Sequence, residues 1–295
     1  MKMPPLSVPN WIQKHLFLHK NFADLTPAEV EELRTRLSKF KHVSPDVSVV
    51  IPAWNEENNI YRTLSTLASN TTTLKVEIVV INNNSTDSTQ QVLDTLGVTS
   101  YFEPMQGITY ARQTGLYKAK GKYLLCADAD TFYPPHWIEL MTAPMIKSAS
   151  ITGVYGRYAF LPEDGTDRKG LWVYEMIGNV LTGIKKRHRE FMNVLGFNMG
   201  LVTEIGRETG GFKVHTARTF NNAENVEESE DGRMAIRLKT RGNLKQVTDP
   251  RAIVFTSTRK LMQDGSIVQA FLNRLKLHTK YMAEYITGPA IKVQD

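Results

Sequence analysis

The feature that most constrains this chain is an alternation. Largely apolar runs at residues 47–51, 76–81 and 123–127, broken only by Ser48 and Glu77, are separated by stretches with apolar residues at helical spacing. A strand that is apolar along its whole length must be covered on both faces, and a parallel sheet flanked by helices does this. Ile60, Leu64 and Leu67 mark one face of a helix expected over residues 56–67, and Val92, Leu93 and Leu96 mark the next. Gly97 is placed to end that second helix. A further helix is expected around residues 110–119, stopped by Gly121. The pattern predicts an α/β fold, a doubly wound and mostly parallel sheet. Such sheets bind ligands beyond the carboxyl ends of their strands. Asn55, the loop at residues 82–87 and Asp128-Ala129-Asp130 all fall at that edge, so three loops converge on one crevice.

Asp128 and Asp130 stand two apart where an apolar strand ends. Alternate residues of a strand face the same way, so both carboxylates can aim at one ion. Hard carboxylate oxygens suit Mg2+ or Mn2+, which bind diphosphates while keeping some of their waters. An Asp-x-Asp triplet alone is frequent by chance; its position after a buried strand gives it weight. The net charge of +6, from 36 Lys and Arg against 30 Asp and Glu, suits anionic substrates or an anionic membrane surface. No zinc-finger, RNP-like or basic-zipper pattern accompanies it, so nucleic acid is not an expected partner. Cys126 is the only cysteine and lies in an apolar run, which excludes an intrachain disulfide. No apolar stretch approaches the ~20 residues that span a bilayer. A cytoplasmic protein is expected, with room for peripheral contact at the inner face of the membrane.

Several segments resemble family 2 glycosyltransferases, in that family's order. Residues 49–58, Val-Val-Ile-Pro-Ala-Trp-Asn-Glu-Glu-Asn, are similar to its opening strand and loop. Residues 81–89 are similar to its acidic loop, although Asn82 and Asn83 stand where the family usually has Asp-Asp. Residues 107–121 resemble the helix leading into the metal motif, and Gly196-Phe197-Asn198-Met199 the acceptor-side segment. Glu230-Asp231 resembles the family's Glu-Asp motif. The resemblance covers roughly residues 47–260 and implies a GT-A fold, with a nucleotide-binding half facing an acceptor-side subdomain.

The resemblance also implies roles. Pro52, Ala53, Asn55 and Glu57 line the nucleotide pocket, Asn83 meets the base, and Arg112 approaches the base or diphosphate. Asp128 faces the ribose or sugar and shares with Asp130 the metal site. Gly196, Asn198, Met199 and Glu230 serve the acceptor, and Asp231 is the general base. Glu230 is its rival, because Glu227, Glu228, Glu230 and Asp231 crowd together. One base and one metal predict a single displacement with inversion, from a nucleotide diphosphate sugar to a glycan or lipid-linked hydroxyl acceptor. The family's processive synthases usually carry a Gln-x-x-Arg-Trp motif, absent here, so transfer of one sugar is expected. Two other readings stay open: a sugar-phosphate nucleotidyltransferase, and a catalytically silent nucleotide-sugar-binding module.

Three parts are expected: a helical extension at 1–45, the main domain at 46–260 (nucleotide half 46–130, acceptor half 131–260), and an amphipathic helix and tail at 261–295. Residues 11–18 read as a surface-docking helix, and Thr26-Pro27-Ala28-Glu29 as a capping box opening a helix to about Phe40. Residues 151–161 and 191–202 read as extended, 231–240 as a helix, and 252–255 as a last strand. Residues 171–184, followed by five basic or potentially basic residues, fit a core helix or a helix lying at a bilayer surface, the core reading being favoured. His215 reads as structural or solvent-exposed, and Arg259 with Lys260 as a contact to the diphosphate from the C-terminal side or an ordinary surface pair, the surface pair being favoured.

Overall fold

The apolar runs become the centre of a seven-stranded sheet in the computed structural model, which describes residues 4–162, 168–213, 229–262 and 267–287. Two helices, α1 (Asn10–Gln13) and α2 (Pro27–Ser38), precede β1 (Val47–Ala53). Strict alternation follows through α3 (Ile60–Leu67), β2 (Val76–Asn82), α4 (Thr89–Leu96), β3 (Thr99–Phe102), α5 (Ile108–Lys118) and β4 (Tyr123–Cys126). Next come β5 (Thr131–Phe132), α6 (Trp137–Lys147), β6 (Ile151–Tyr155), β7 (Tyr158–Leu161) and α7 (Lys169–Lys185). The chain continues through β8 (Met199–Val202), α8 (Thr203–Glu208), α9 (Glu230–Lys239), β9 (Asn243–Gln246) and β10 (Val254–Ser257). It ends in α10 (Arg259–Met262), α11 (Ile267–Lys280) and α12 (Met282–Thr287).

The large sheet runs β3-β2-β1-β4-β8-β6-β9, and β5-β10-β7 form a small second sheet. In the large sheet β8 is antiparallel to both neighbours, while the other described pairings are parallel. Every residue of β1 and β2 is buried, as their largely apolar pattern requires, and the polar Ser48 and Glu77 within them bond each other, Ser48 Oγ donating to Glu77 Oε1 at 2.5 Å. Strand β1 runs two residues beyond the expected end, through Pro52. The Val50 carbonyl accepts from Ala127 on the β4 side, and Ala53 accepts from Asn83 on the β2 side. Alternation puts the missing N–H of Pro52 on the β4 side, where pairing has stopped at Val50, so the proline costs no ladder bond.

Other boundaries differ for local reasons. Helix α3 starts at Ile60 rather than 56, because residues 54–59 make a turn with Asn55 at φ 53°. Residues 151–161 split into two strands in different sheets. Residues 191–198 are extended only at Val194 and Leu195; 3-10 turns at Glu190–Asn193 and Gly196–Asn198 take up the rest. Strand β9, Asn-Leu-Lys-Gln, carries one apolar residue and gave no strand signal. The expected last helix is broken between α11 and α12.

The expected helix over residues 11–18 is broken into α1 and a 3-10 turn at Phe17–His19. Helix α1 has four residues, and Ile12 is fully buried with Phe132, Ala159, Ile253 and Phe255. Burying a side chain of that size contributes ~2 kcal/mol. Trp11 meets the Phe255 ring edge-on, and His15 Nδ1 lies 2.8 Å from Ser65 Oγ. Burial pushes the His15 imidazole down to about 3, so it is neutral. The Thr26–Glu29 capping box forms, and Leu33 and Leu37 of α2 enter the central core. Helix α7 buries Leu171, Tyr174, Glu175 and Lys185 but leaves Val173 and Val180 about half exposed. Among the described residues no helix is long and apolar enough to cross a membrane.

Candidate active site

The loops after β1 and β2 are laced together by their own side chains. Asn55 N–H donates to Ser85 Oγ at 3.0 Å, and Asn55 Oδ1 accepts from Thr86 N–H at 2.8 Å. Glu57 N–H donates to Asp87 Oδ2 at 3.2 Å, while Glu57 Oε2 accepts from Ser88 N–H at 2.8 Å. Asn55 and Glu57 therefore shape the crevice wall through bonds within the protein. Pro52 and Ala53 lie buried beneath it, where the Ala53 carbonyl accepts from Asn83 N–H.

Asn83 does not reach for a base. It is buried, and Nδ2 donates to the carbonyls of Glu103 (3.3 Å) and Met105 (2.7 Å), while Oδ1 accepts from Gly107 N–H at 2.8 Å. An aspartate cannot donate to two carbonyls, which accounts for asparagine where the family usually has acid. Asn83→Asp, a change toward the family pattern, is expected to lower stability by on the order of 2–3 kcal/mol. An unshifted urea midpoint would show that these bonds contribute nothing.

Arg112 is the hub. It lies 4% exposed on α5, held from three sides. Nη1 donates to the Gly196 carbonyl at 2.8 Å, Nη2 donates to Asp128 Oδ1 at 3.0 Å, and Nε faces Asp231 Oδ1 at 3.4 Å. Glu230 Oε1 lies farther off, 3.9 Å from Nε. Burial works against the charged guanidinium, yet the surrounding carboxylates, Asp231 foremost, raise its pKa above the ordinary value. Arg112 thus points inward to Gly196, Asp128 and Asp231, where the family resemblance has it approach a base or diphosphate. Gly196 permits this packing: a Cβ there would sit 2.1 Å from Arg112 Nη2 and 2.4 Å from Asp231 Oδ1. Asp231 Oδ2 accepts from Gly196 N–H at 2.7 Å, while Oδ1 has no hydrogen-bond partner. Burial, opposed by Arg112 and reinforced by Glu230, pushes the Asp231 carboxyl up to about 7. Glu230 is buried at the first turn of α9, its Oε2 without a hydrogen bond.

Asp128 and Asp130 lie in the turn just after β4 rather than within a strand, and each is held by a different arginine. Asp128 N–H donates to the Tyr133 hydroxyl at 2.8 Å, which donates in turn to the Phe197 carbonyl at 3.0 Å. Arg259 Nη2 bridges Asp130 Oδ2 (2.8 Å) and Glu56 Oε1 (2.5 Å). Arg259 is therefore no ordinary surface pair, and its partners 129 and 203 residues away leave no signal in the sequence. The side chain of Lys260 lies outside the description, as do His215, Glu227 and Glu228.

A divalent cation fits this donor set. Asp130 already carries a cationic group, and hard oxygens are the right chemistry. Among the described residues no group of three or more His, Cys, Asp or Glu is placed to hold a metal ion between them. One or two carboxylates completed by diphosphate oxygens and water make an ordinary Mg2+ or Mn2+ site.

Two expected acceptor residues are not at the site. Asn198 is buried, with Oδ1 accepting from Trp137 Nε1 and Nδ2 donating to the Arg157 carbonyl. Met199 is wholly enclosed in the core beside Leu124 and Cys126. Their neighbour Phe197 instead lines a cavity of about 380 Å³ that also meets Asp128 and Asp130. A wider hollow of about 830 Å³ shares Arg157, Asn179, Thr182 and Gln246 with it, but its one lining carboxylate, Asp249, is bonded to Arg251. The carboxylate-bearing cavity is the better seat for chemistry.

Fold and crevice together define a GT-A protein, a sheet whose strand-end loops gather acids around a buried arginine. The chain belongs to glycosyl transferase family 2, whose family model matches residues 48–205. It is 32% identical over 130 residues to chondroitin synthase of Pasteurella multocida, covering 42% of this chain and 13% of that protein. It is 30% identical over 135 residues to dolichol-phosphate mannosyltransferase of Saccharomyces cerevisiae, covering 43% and 49%. The chain thus matches less than half the length of either relative. Among solved structures it resembles S. aureus TarS in complex with UDP-GlcNAc, at TM-score 0.55 and 17% identity over 72% of this chain and 59% of that one. It also resembles the mannosyltransferase PcManGT from Pyrobaculum calidifontis in complex with GDP-Man and Mn2+, at TM-score 0.53 and 17% identity over 90% and 73%.

Proposed function

We propose that the chain transfers one sugar from a nucleotide diphosphate sugar to an acceptor hydroxyl, with inversion and with the help of Mg2+ or Mn2+. The observation that carries this reading is the shared hold of Arg112 on Asp128 and Asp231, beside Asp130, at the carboxyl edge of the sheet. Family membership supports it, and so do neighbours in complex with UDP-GlcNAc or with GDP-Man and Mn2+. The donor half is proposed at 46–130 and the acceptor half at 131–260, with 1–45 and 261–295 as additions to them.

In the proposed step the acceptor oxygen forms a bond to the anomeric carbon as the bond from that carbon to the diphosphate breaks. The electron pair leaves on the diphosphate, and the hydroxyl proton passes to the Asp231 carboxylate. A bound divalent ion would supply charge neutralisation for the departing diphosphate. Asp130, with Asp128, would hold it, and Arg259 is placed to exchange Asp130 for a diphosphate oxygen. Arg112 fixes Asp128 and the base relative to one another.

Calorimetry with Mn2+ and UDP or GDP tests the donor side. Wild type is expected to bind at least one of them only with metal present, and Asp130→Ala to lose that metal dependence. Equal binding by the variant would remove Asp130 from the metal site. Metal-dependent release of nucleotide diphosphate from a sugar nucleotide is the matching activity readout.

A further inference from the structure

The cavity meeting Asp128 and Asp130 has an unusual lining for a sugar subsite. Phe160, Tyr174, Ile177, Leu181, Phe271 and Leu275 form much of it, from β7, α7 and α11. Set among them is Lys185, at the last turn of α7, with 9% of its surface exposed. Among the described residues its ammonium has no ion pair and no side-chain hydrogen bond. The other lining acids are engaged elsewhere. Glu175 Oε2 pairs with Arg168 at 2.7 Å while Oε1 accepts from Phe160 N–H at 2.7 Å, and Asp128 and Asp130 face Arg112 and Arg259. Arg274 and His278 line the same cavity, Arg274 stacked on Tyr174 and His278 bonded to the Tyr285 hydroxyl.

An enclosed ammonium with no counter-charge is costly, and an anion beside it removes that cost. Burial pushes the Lys185 ammonium down only to about 8, so it is still charged at neutral pH. The apolar lining also continues to the outside. Leu275 belongs both to the cavity and to the exposed surface, on the same face of α11 as the exposed Leu272 and Val268. A long apolar chain could leave the cavity along this path without being forced into water.

From this placement we infer that the cavity binds the acceptor, and that the acceptor is an anionic amphiphile: an apolar chain or ring bearing a phosphate-like group that pairs with Lys185. The inference rests on the transferase reading for the word acceptor; the binding itself does not.

The test is calorimetry on the full chain without donor, using decyl phosphate, decanol, p-nitrophenyl phosphate and inorganic phosphate as probes. Decyl phosphate is expected to bind more tightly than decanol or inorganic phosphate. Lys185→Met keeps the length and apolar stem while deleting the charge. It should weaken decyl phosphate by roughly 10–100-fold and leave decanol unchanged. Leu181→Asn should weaken both, and the thermal midpoints of both variants show whether they are folded. Tighter binding of decyl than of p-nitrophenyl phosphate assigns the acceptor to lipid phosphates; the reverse assigns it to soluble aryl phosphates. Equal binding of decyl phosphate and decanol, equal binding of decyl and inorganic phosphate, or an unaffected folded Lys185→Met would overturn the inference. Wild type that binds decyl phosphate yet releases no nucleotide diphosphate from any sugar nucleotide would defeat the transferase reading and leave the pocket standing.

Discussion

Arg112→Met is expected to destabilise the protein by about 3–5 kcal/mol, the cost of breaking a buried ion pair from one side. Three carboxylates would lose their shared counter-charge: Asp128 at 3.0 Å, Asp231 at 3.4 Å and Glu230 at 3.9 Å. The Gly196 carbonyl would also lose its donor at 2.8 Å. Methionine fills much of the volume, so the loss reports charge and hydrogen bonding rather than a cavity. Protonating the stranded acids relieves it, and the gap to wild type should therefore narrow as pH falls. Arg112→Lys restores charge but not three directions of contact, and is expected to recover only part of the stability. Urea unfolding at two pH values measures all of this. An Arg112→Met protein of unchanged stability that no longer binds nucleotide would instead restore the ligand-facing role that the family resemblance implies.

That contrast marks where the sequence was legible. The strands could be read because a strand covered on both faces must be largely apolar, as β1 and β2 are apart from Ser48, Glu77 and Asn82. The crevice followed, because strand-end loops of such a sheet have one place to go. Direction was not legible. Whether Arg112 points outward to a diphosphate or inward to acids depends on Gly196 and Asp231, 84 and more residues away in the chain. The same holds for Asn83, whose partners are backbone carbonyls that every sequence possesses. Asn198 and Met199 were assigned by motif alone, and burial moved both into the framework. Strand β9 pairs in parallel with β6 despite a polar sequence, because the neighbour supplies the register.

Asp231→Asn is expected to slow transfer by ~10²–10⁴ while leaving donor binding in place. The pH dependence gives this prediction a second readout. Burial raises the Asp231 carboxyl to about 7, with Arg112 opposing and Glu230 reinforcing. A base must be unprotonated, so transfer should fall about tenfold per pH unit below that value. Stability should move the other way. A carboxyl whose pKa is raised on folding binds more protons folded than unfolded, so its contribution is complete below the ordinary carboxylate range and is lost as pH rises through about 7. Acidification over that window thus strengthens the fold through Asp231 while silencing the base, and asparagine should abolish both slopes. Glu230→Gln separates the rival acid. Its Oε2 also lacks a hydrogen bond, but it lies farther from Arg112 and does not bond Gly196. If Glu230→Gln loses the rate while Asp231→Asn keeps it, the proton goes to Glu230. Asp231 would then be the acid that holds Arg112 and the Gly196 amide in place.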